Sequence, residues 1–214
     1  MRKSDITRKL IIIILLLSAI MLVFVYFSSK GKQRSVDNLP APIQTEADGL
    51  TSFEKSGYNV TISFKYAYDI KALVVSTHDY VPYSIGDKLS PRDFALAWGG
   101  VAATNKEVDY NWSQSGRWYS WHVSAYDDII DVGGEYGVNS QSANTHIIPA
   151  TDIVRDEVKH VKVGDCLHMK GYLVDISAVD DKGHIFTWNS STTREDTGDG
   201  ACEVFYVTEI EWLP

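Results

Sequence analysis

The segment Tyr58–Lys71, "YNVTISFKYAYDIK", constrains the fold more than any other stretch. Tyr58, Val60, Ile62, Phe64, Tyr66, Tyr68 and Ile70 alternate with Asn59, Thr61, Ser63, Lys65, Ala67, Asp69 and Lys71. A helix would scatter the apolar set around its axis, whereas a strand gathers it on one face. The pattern predicts a long strand with one buried face, continued by "ALVVST". Further strands are expected at "SGRWYSWHVSAY", "HIFTWN", "ACEVFYVTEIEWL" and "VGDCLHMKGYLVDI", the last with a bulge or bend at Gly171.

Two short helices complete the reading. In "LSPRDFALAWGG", Ser90 caps, Pro91 and Asp93 suit the first turn, and Gly99-Gly100 stop it. The second follows "HIIPA", with Thr151 or Asp152 as cap and Ile153, Val154, Val158 and Val161 as its apolar stripe. Asp127 to Gln141 reads as loop. The fold class is therefore mainly β (α+β), a compact coiled sheet or small OB-like barrel over 58–214. Such an architecture implies no function by itself.

Leu10–Phe27 is an uncharged run of 18 residues, close to the length that crosses a bilayer. The "YFSSKGK" that follows is a poor cleavage site, so an uncleaved anchor is expected rather than a signal peptide. The resulting organisation is a cytoplasmic N-terminus (1–9), a transmembrane helix (10–28), a stalk (29–57) and an extracytoplasmic β-rich domain (58–214). Arg2, Lys3, Arg8 and Lys9 precede the run and favour a cytoplasmic N-terminus, hence a single-pass protein of the cell membrane. Residues 35–214 hold 13 Lys and Arg against 27 Asp and Glu. That balance argues against a nucleic-acid partner, because phosphates call for clustered cations.

"REDTGDGACEVFYV" carries Arg194, Asp196, Cys202 and Glu203. Asp196-Thr197-Gly198 lacks the apolar strand and the second copy that an aspartic protease needs, and the loop lacks calcium-ligand spacing. Period two places Cys202 on the apolar side of the last strand, with Glu203, Glu209 and Glu211 in water. Cys202 then reads as an inert thiol, a disulfide partner of Cys166, or a nucleophile. None of the six histidines has zinc-motif spacing, so no metal or other cofactor is expected.

In "SANTHIIPA", Ser142, Asn144 and His146 share one face of an extended chain, as nucleophile, amide donor and base, or as ordinary loop residues. Around Arg117, aromatic residues suggest a sugar or peptide platform, with Arg117, Tyr119 and Trp121 on one side. Arg194 is expected to share one polar pocket with His146, and convergence of Ser190 on the same pocket would favour a hydrolase.

"DFALAWG", "SQSGRWYSWH", "SANTHIIPA", "GDCLHMKGYLVDI" and "NSSTTREDTGDGACEVFYV" together resemble a group of bacterial membrane-anchored envelope proteins without an assigned activity. The resemblance implies an envelope setting and carries over no catalytic residue. The expected function is an anchored domain that binds an envelope protein or a glycan; the alternative is an envelope hydrolase with its site around His146 and Arg194.

Overall fold

In the computed structural model, which describes residues 11–18, 20–21, 33–193 and 201–214, the chain divides into two units, Met1–Lys32 and Gln33–Pro214. Residues 11–18 and 20–21 of the first unit are helical. Among the described residues no helix is long and apolar enough to cross a membrane. The rest of the expected 10–28 span lies outside the described residues.

The second unit starts earlier than the sequence suggested. Residues 33–57, expected as stalk from 29 onward, contain β1 (Ile43–Glu46) and β2 (Leu50–Lys55), both paired antiparallel with β3 (Tyr58–Asp79). Leu39 packs in the core and its carbonyl accepts from the Gly99 amide at 3.0 Å. Few apolar residues are needed to seat two short edge strands, so composition alone reads as linker.

β3 is the strand that the alternation predicted, but its two halves face different cores. Its register against β8 (Cys166–Asp180) shifts between Phe64 and Tyr66. The bulge inserts one residue, and one residue exchanges the faces. Val60 and Ile62 consequently join Val174 and Ile176 in one cluster, while Tyr68, Ile70 and Ala72 join Leu167, Met169 and Phe205 in the other.

"RDFALA" is not a helix. It forms β4 (Arg92–Ala97), flanked by β3 on one side and β7 (Ser142–Pro149) on the other, with Asp93 to Ala97 all buried. A strand buried on both faces shows no alternation, and only its length distinguishes it from a buried helix. Ser90 closes α1 (Ile85–Leu89) instead of opening a helix, and Gly99-Gly100 begin α2 (Gly99–Thr104).

The segment 113–120 makes a separate hairpin, β5 (Ser113–Ser115) with β6 (Trp118–Ser120). The expected loop 127–141 contains a 3-10 helix (Tyr126–Val132) and α3 (Gly134–Ser140). Thr151 does cap α4 (Asp152–His160), accepting from the Val154 amide at 3.2 Å. Val154, Val158 and Val161 are buried, but Ile153 points outward, 74% exposed.

After β9 (Ile185–Asn189) comes β10 (Glu203–Leu213), which pairs parallel with β7 and antiparallel with β8. The pairings β3-β4-β7-β10-β8 return from β8 to β3 and close a five-stranded ring. The domain is β-rich as expected. Gly171 lies against the β10 backbone, where an added Cβ would run into the Tyr206 carbonyl oxygen. Gly171→Ala is expected to destabilise the domain by about 2–4 kcal/mol through overpacking, read as a lower urea midpoint with an unchanged m-value.

Neither Cys166 nor Cys202 is in a disulfide. Cys166 pairs with Leu213 across β8 and β10, while Cys202 precedes the other end of β10. Eleven residues of strand put them about 35 Å apart, far beyond disulfide reach. Reducing agent should leave the melting temperature of the folded monomer unchanged; a fall of several degrees would contradict this placement.

Candidate functional site

β4 and β7 pair so that Asp93 stands directly opposite His146. Register therefore brings together two residues that are 53 positions apart in the chain. His146 Nδ1 lies 2.8 Å from Asp93 Oδ2, with the two side chains 4% and 0% exposed. A carboxylate only accepts, so the Nδ1–H donates, and in the neutral ring this tautomer leaves the lone pair on Nε2. That nitrogen makes no hydrogen bond among the described residues.

Asp93 Oδ1 accepts from Arg117 Nη1 at 2.8 Å and from the Ser90 hydroxyl at 3.1 Å. Arg117 Nη2 in turn donates to Asp87 Oδ1 at 2.7 Å and to the Ser90 carbonyl at 2.9 Å. The planar guanidinium can hold two carboxylates at once because its donors form a rigid fork. It also lies 3.5 Å over the Tyr80 ring. Burial, followed by the Asp93 charge, pushes the Tyr80 phenol well above its ordinary value. Burial opposes ionisation of Asp87, but hydrogen bonds from the Ser84 hydroxyl and amide, and then Arg117, outweigh it and hold the carboxyl below its usual range.

Arg117 is presented by strained backbone. It forms the β5–β6 turn with Gly116, and both have positive φ, +59° and +74°. A two-residue hairpin turn requires this, and a non-glycine residue there costs about 1–3 kcal/mol. The hairpin is held down along its length. Asn144 Nδ2 donates to the Arg117 carbonyl at 2.9 Å, Gln114 Nε2 donates to Asn144 Oδ1 at 2.8 Å, and the Arg117 amide donates to the Tyr80 hydroxyl at 3.0 Å.

Between this hairpin, α1 and β9 lies a cavity of about 610 Å³, within the range of small-ligand sites. Trp118, Phe186 and Trp188 supply aromatic surface, and Asp87, Arg117 and His146 supply polar groups. The Trp188 ring centroid lies 4.6 Å from that of His146. Cys202 also lines the cavity, its Sγ 3.4 Å from Asn144 Nδ2.

Of the expected site residues, His146 and Arg117 line this cavity and Asn144 braces its wall. His146 lies on a buried strand, not in a polar loop. Ser142 donates its hydroxyl to the Val138 carbonyl at 2.7 Å and does not line the cavity. The Ser190 hydroxyl donates to the Ser191 carbonyl and accepts from the Val204 amide, a structural role. Trp121 donates to Asn139 Oδ1 at 2.9 Å, packs against the larger core and does not line the cavity. Arg117 escapes the expected face-sharing because its positive φ breaks the alternation. Arg194 and Asp196 lie outside the described residues.

Glu203 is buried, contrary to expectation, because the first half of β10 is covered on both faces; the outward glutamates begin after the register shift between Val207 and Glu209. The sequence reading missed Asp93, Asp87 and Trp188. The available signal was Asp93 itself, a lone carboxylate between a turn and the apolar run "FALAW". No protein family, curated protein or solved structure matches this chain.

Proposed function

We propose that residues 33–214 form a glycan-binding domain with this cavity as its ligand site, held outside the cytoplasm by an N-terminal membrane anchor. The carrying observation is the lining, in which Trp118, Phe186 and Trp188 face Asp87, Arg117 and His146. Flat aromatic faces cover the apolar faces of sugar rings, while polar side chains bond their hydroxyls. A neutral ligand fits better than an anionic one, because the Arg117 charge is already matched by Asp87 and Asp93. A concave site of this size also suits an oligosaccharide better than the flat surface of an envelope protein.

The ring order, with β7 and β10 as its parallel pair, supports reading the domain as an OB-like barrel. Such barrels bind oligosaccharides or oligonucleotides on their second and third strands and the loops after the first and fourth. Here those strands are β4 and β7, and the loops carry α1 and β9. The acidic balance of 35–214 disfavours the nucleic acid. The anchor rests on the 18-residue apolar run Leu10–Phe27 and the basic residues before it.

Titration calorimetry with bacterial envelope oligosaccharides tests this reading. Trp188→Ala is expected to weaken binding at least tenfold while the melting temperature moves little, since Trp188 is on an edge strand and only half-buried. Trp212→Ala, on the far end of β10, should bind normally. Equal affinity in wild type and Trp188→Ala would contradict the assignment, as would the absence of binding to every such oligosaccharide. A hydrolase in the same cavity is a second reading, favoured by the Asp93–His146 pair.

A further inference from the structure

We propose that the cavity hydrolyses carboxylic esters through a thiol, with Cys202 as nucleophile, His146 as its base and Asp93 as the positioning residue. This rests on the cavity being the ligand site, and it names the ligand more narrowly as a sugar bearing an O-acyl group.

Strand register carries the argument. In the parallel pair, Thr145 stands beside Glu203 and His146 beside Val204. One further step sets Cys202 beside Asn144, and the 3.4 Å approach of Sγ to Asn144 Nδ2 agrees. Side chains two apart share a face, so Cys202 and His146 project to the same side. Strand spacing and rise put their Cα atoms about 8 Å apart, and both side chains line the cavity. The second observation is independent of the cysteine. His146 is 4% exposed and tied at Nδ1 to a fully buried carboxylate, yet its Nε2 has no hydrogen-bond partner among the described residues. A buried imidazole held in the tautomer that presents a base to a cavity is the arrangement of a nucleophile-activating histidine.

The reaction balances with water alone. Nε2 takes the thiol proton as Sγ attacks the ester carbonyl. Collapse of the tetrahedral adduct breaks the C–O bond, and the imidazolium returns its proton to the departing sugar alkoxide. Nε2 then removes a proton from water, whose oxygen attacks the thioester. The carboxylic acid leaves, and the proton returns to Sγ. Asp93, hydrogen-bonded at Nδ1, orients the ring and stabilises each imidazolium.

Cys166 is an internal control. It is 1% exposed, and burial pushes its thiol up, so it should stay inert. The test uses the full chain in detergent micelles with p-nitrophenyl acetate and, separately, iodoacetamide, read by peptide mass spectrometry. The expected result is a burst of about one equivalent of p-nitrophenol with acetyl on Cys202 and none on Cys166. Alkylation of Cys202 should persist well below the ordinary thiol midpoint of about 8.5. His146→Gln should slow alkylation at pH 7 at least tenfold, and Cys202→Ser should abolish the burst. The wild-type pH profile needs no variant and decides the matter if His146→Gln misfolds. A Cys202 that takes no acetyl and follows an ordinary thiol profile would overturn the proposal. That result alongside intact oligosaccharide binding would refute the thiol chemistry alone; a reactive Cys202 without oligosaccharide binding would refute the glycan assignment alone.

Discussion

Arg117→Met is expected to destabilise the domain by about 3–5 kcal/mol, the usual cost of removing one partner from a buried ion pair. The Asp93 side chain is fully buried and Asp87 is 19% exposed, so the substitution strands two carboxylates that water reaches poorly. Methionine is the appropriate replacement because it pays the same backbone cost at φ +74° and keeps similar bulk. The loss then reports the guanidinium and not the turn. Urea unfolding should show the midpoint falling with the m-value unchanged. Arg117→Lys should recover little, since an ammonium cannot reach Asp87, Asp93 and the Ser90 carbonyl in one plane.

The same cluster gives the domain an acid-sensitive component. The Asp87 carboxyl is held below its usual range in the folded state. Its contribution is therefore complete above the unfolded carboxylate value of about 3.9 and is lost as pH falls through the lower folded value. Asp87→Asn should flatten stability against pH in that window and leave the slope above pH 5 unchanged.

The second large effect concerns the boundary. A chain beginning at Ser56 is expected not to fold cooperatively, whereas one beginning at Gln33 should. The shorter chain lacks β2, which pairs with β3 from Tyr58 to Ser63, and β1, which pairs with β3 from Tyr66 to Asp69. It also loses Leu39 from the core, together with the Val36–Ala102 and Leu39–Gly99 backbone hydrogen bonds. Together these losses are comparable with the total stability of a domain, about 5–15 kcal/mol. They also bare a long strand edge that invites aggregation. Size-exclusion chromatography and urea unfolding of the two chains should separate them clearly. A monomeric 56–214 fragment with a single sharp transition would show β1 and β2 to be dispensable.

Local pattern made β3, β8 and β10 legible because each has a stretch with one wet face, and Thr151 announced α4 because capping is a local event. β4 was not legible. Buried on both sides, it shows a continuous apolar run, and "SPRD" before it mimics a helix start. The bulge at Phe64–Tyr66 was hidden for a subtler reason: apolar residues alternate through it without a break, although the face they point to changes. At the site, Ser142, Asn144 and His146 alternate along β7. What they meet was not visible, because Asp93, Asp87 and Arg117 converge only after β4 pairs with β7 and the hairpin folds down. The positive φ of Arg117 depends on the turn it occupies, and nothing in "QSGRWY" beyond Gly116 marks it.

The central claim is that the cavity beside the Asp93–His146 pair receives the ligand. Indole N–H resonances of the six tryptophans test it most directly during titration with an envelope oligosaccharide. Trp118 and Trp188 should shift together and saturate with one affinity, while Trp98, buried in the larger core, and Trp112, bonded to Asn105, stay fixed. Saturable shifts at Trp212 with Trp118 and Trp188 unmoved would place the ligand elsewhere and contradict the account.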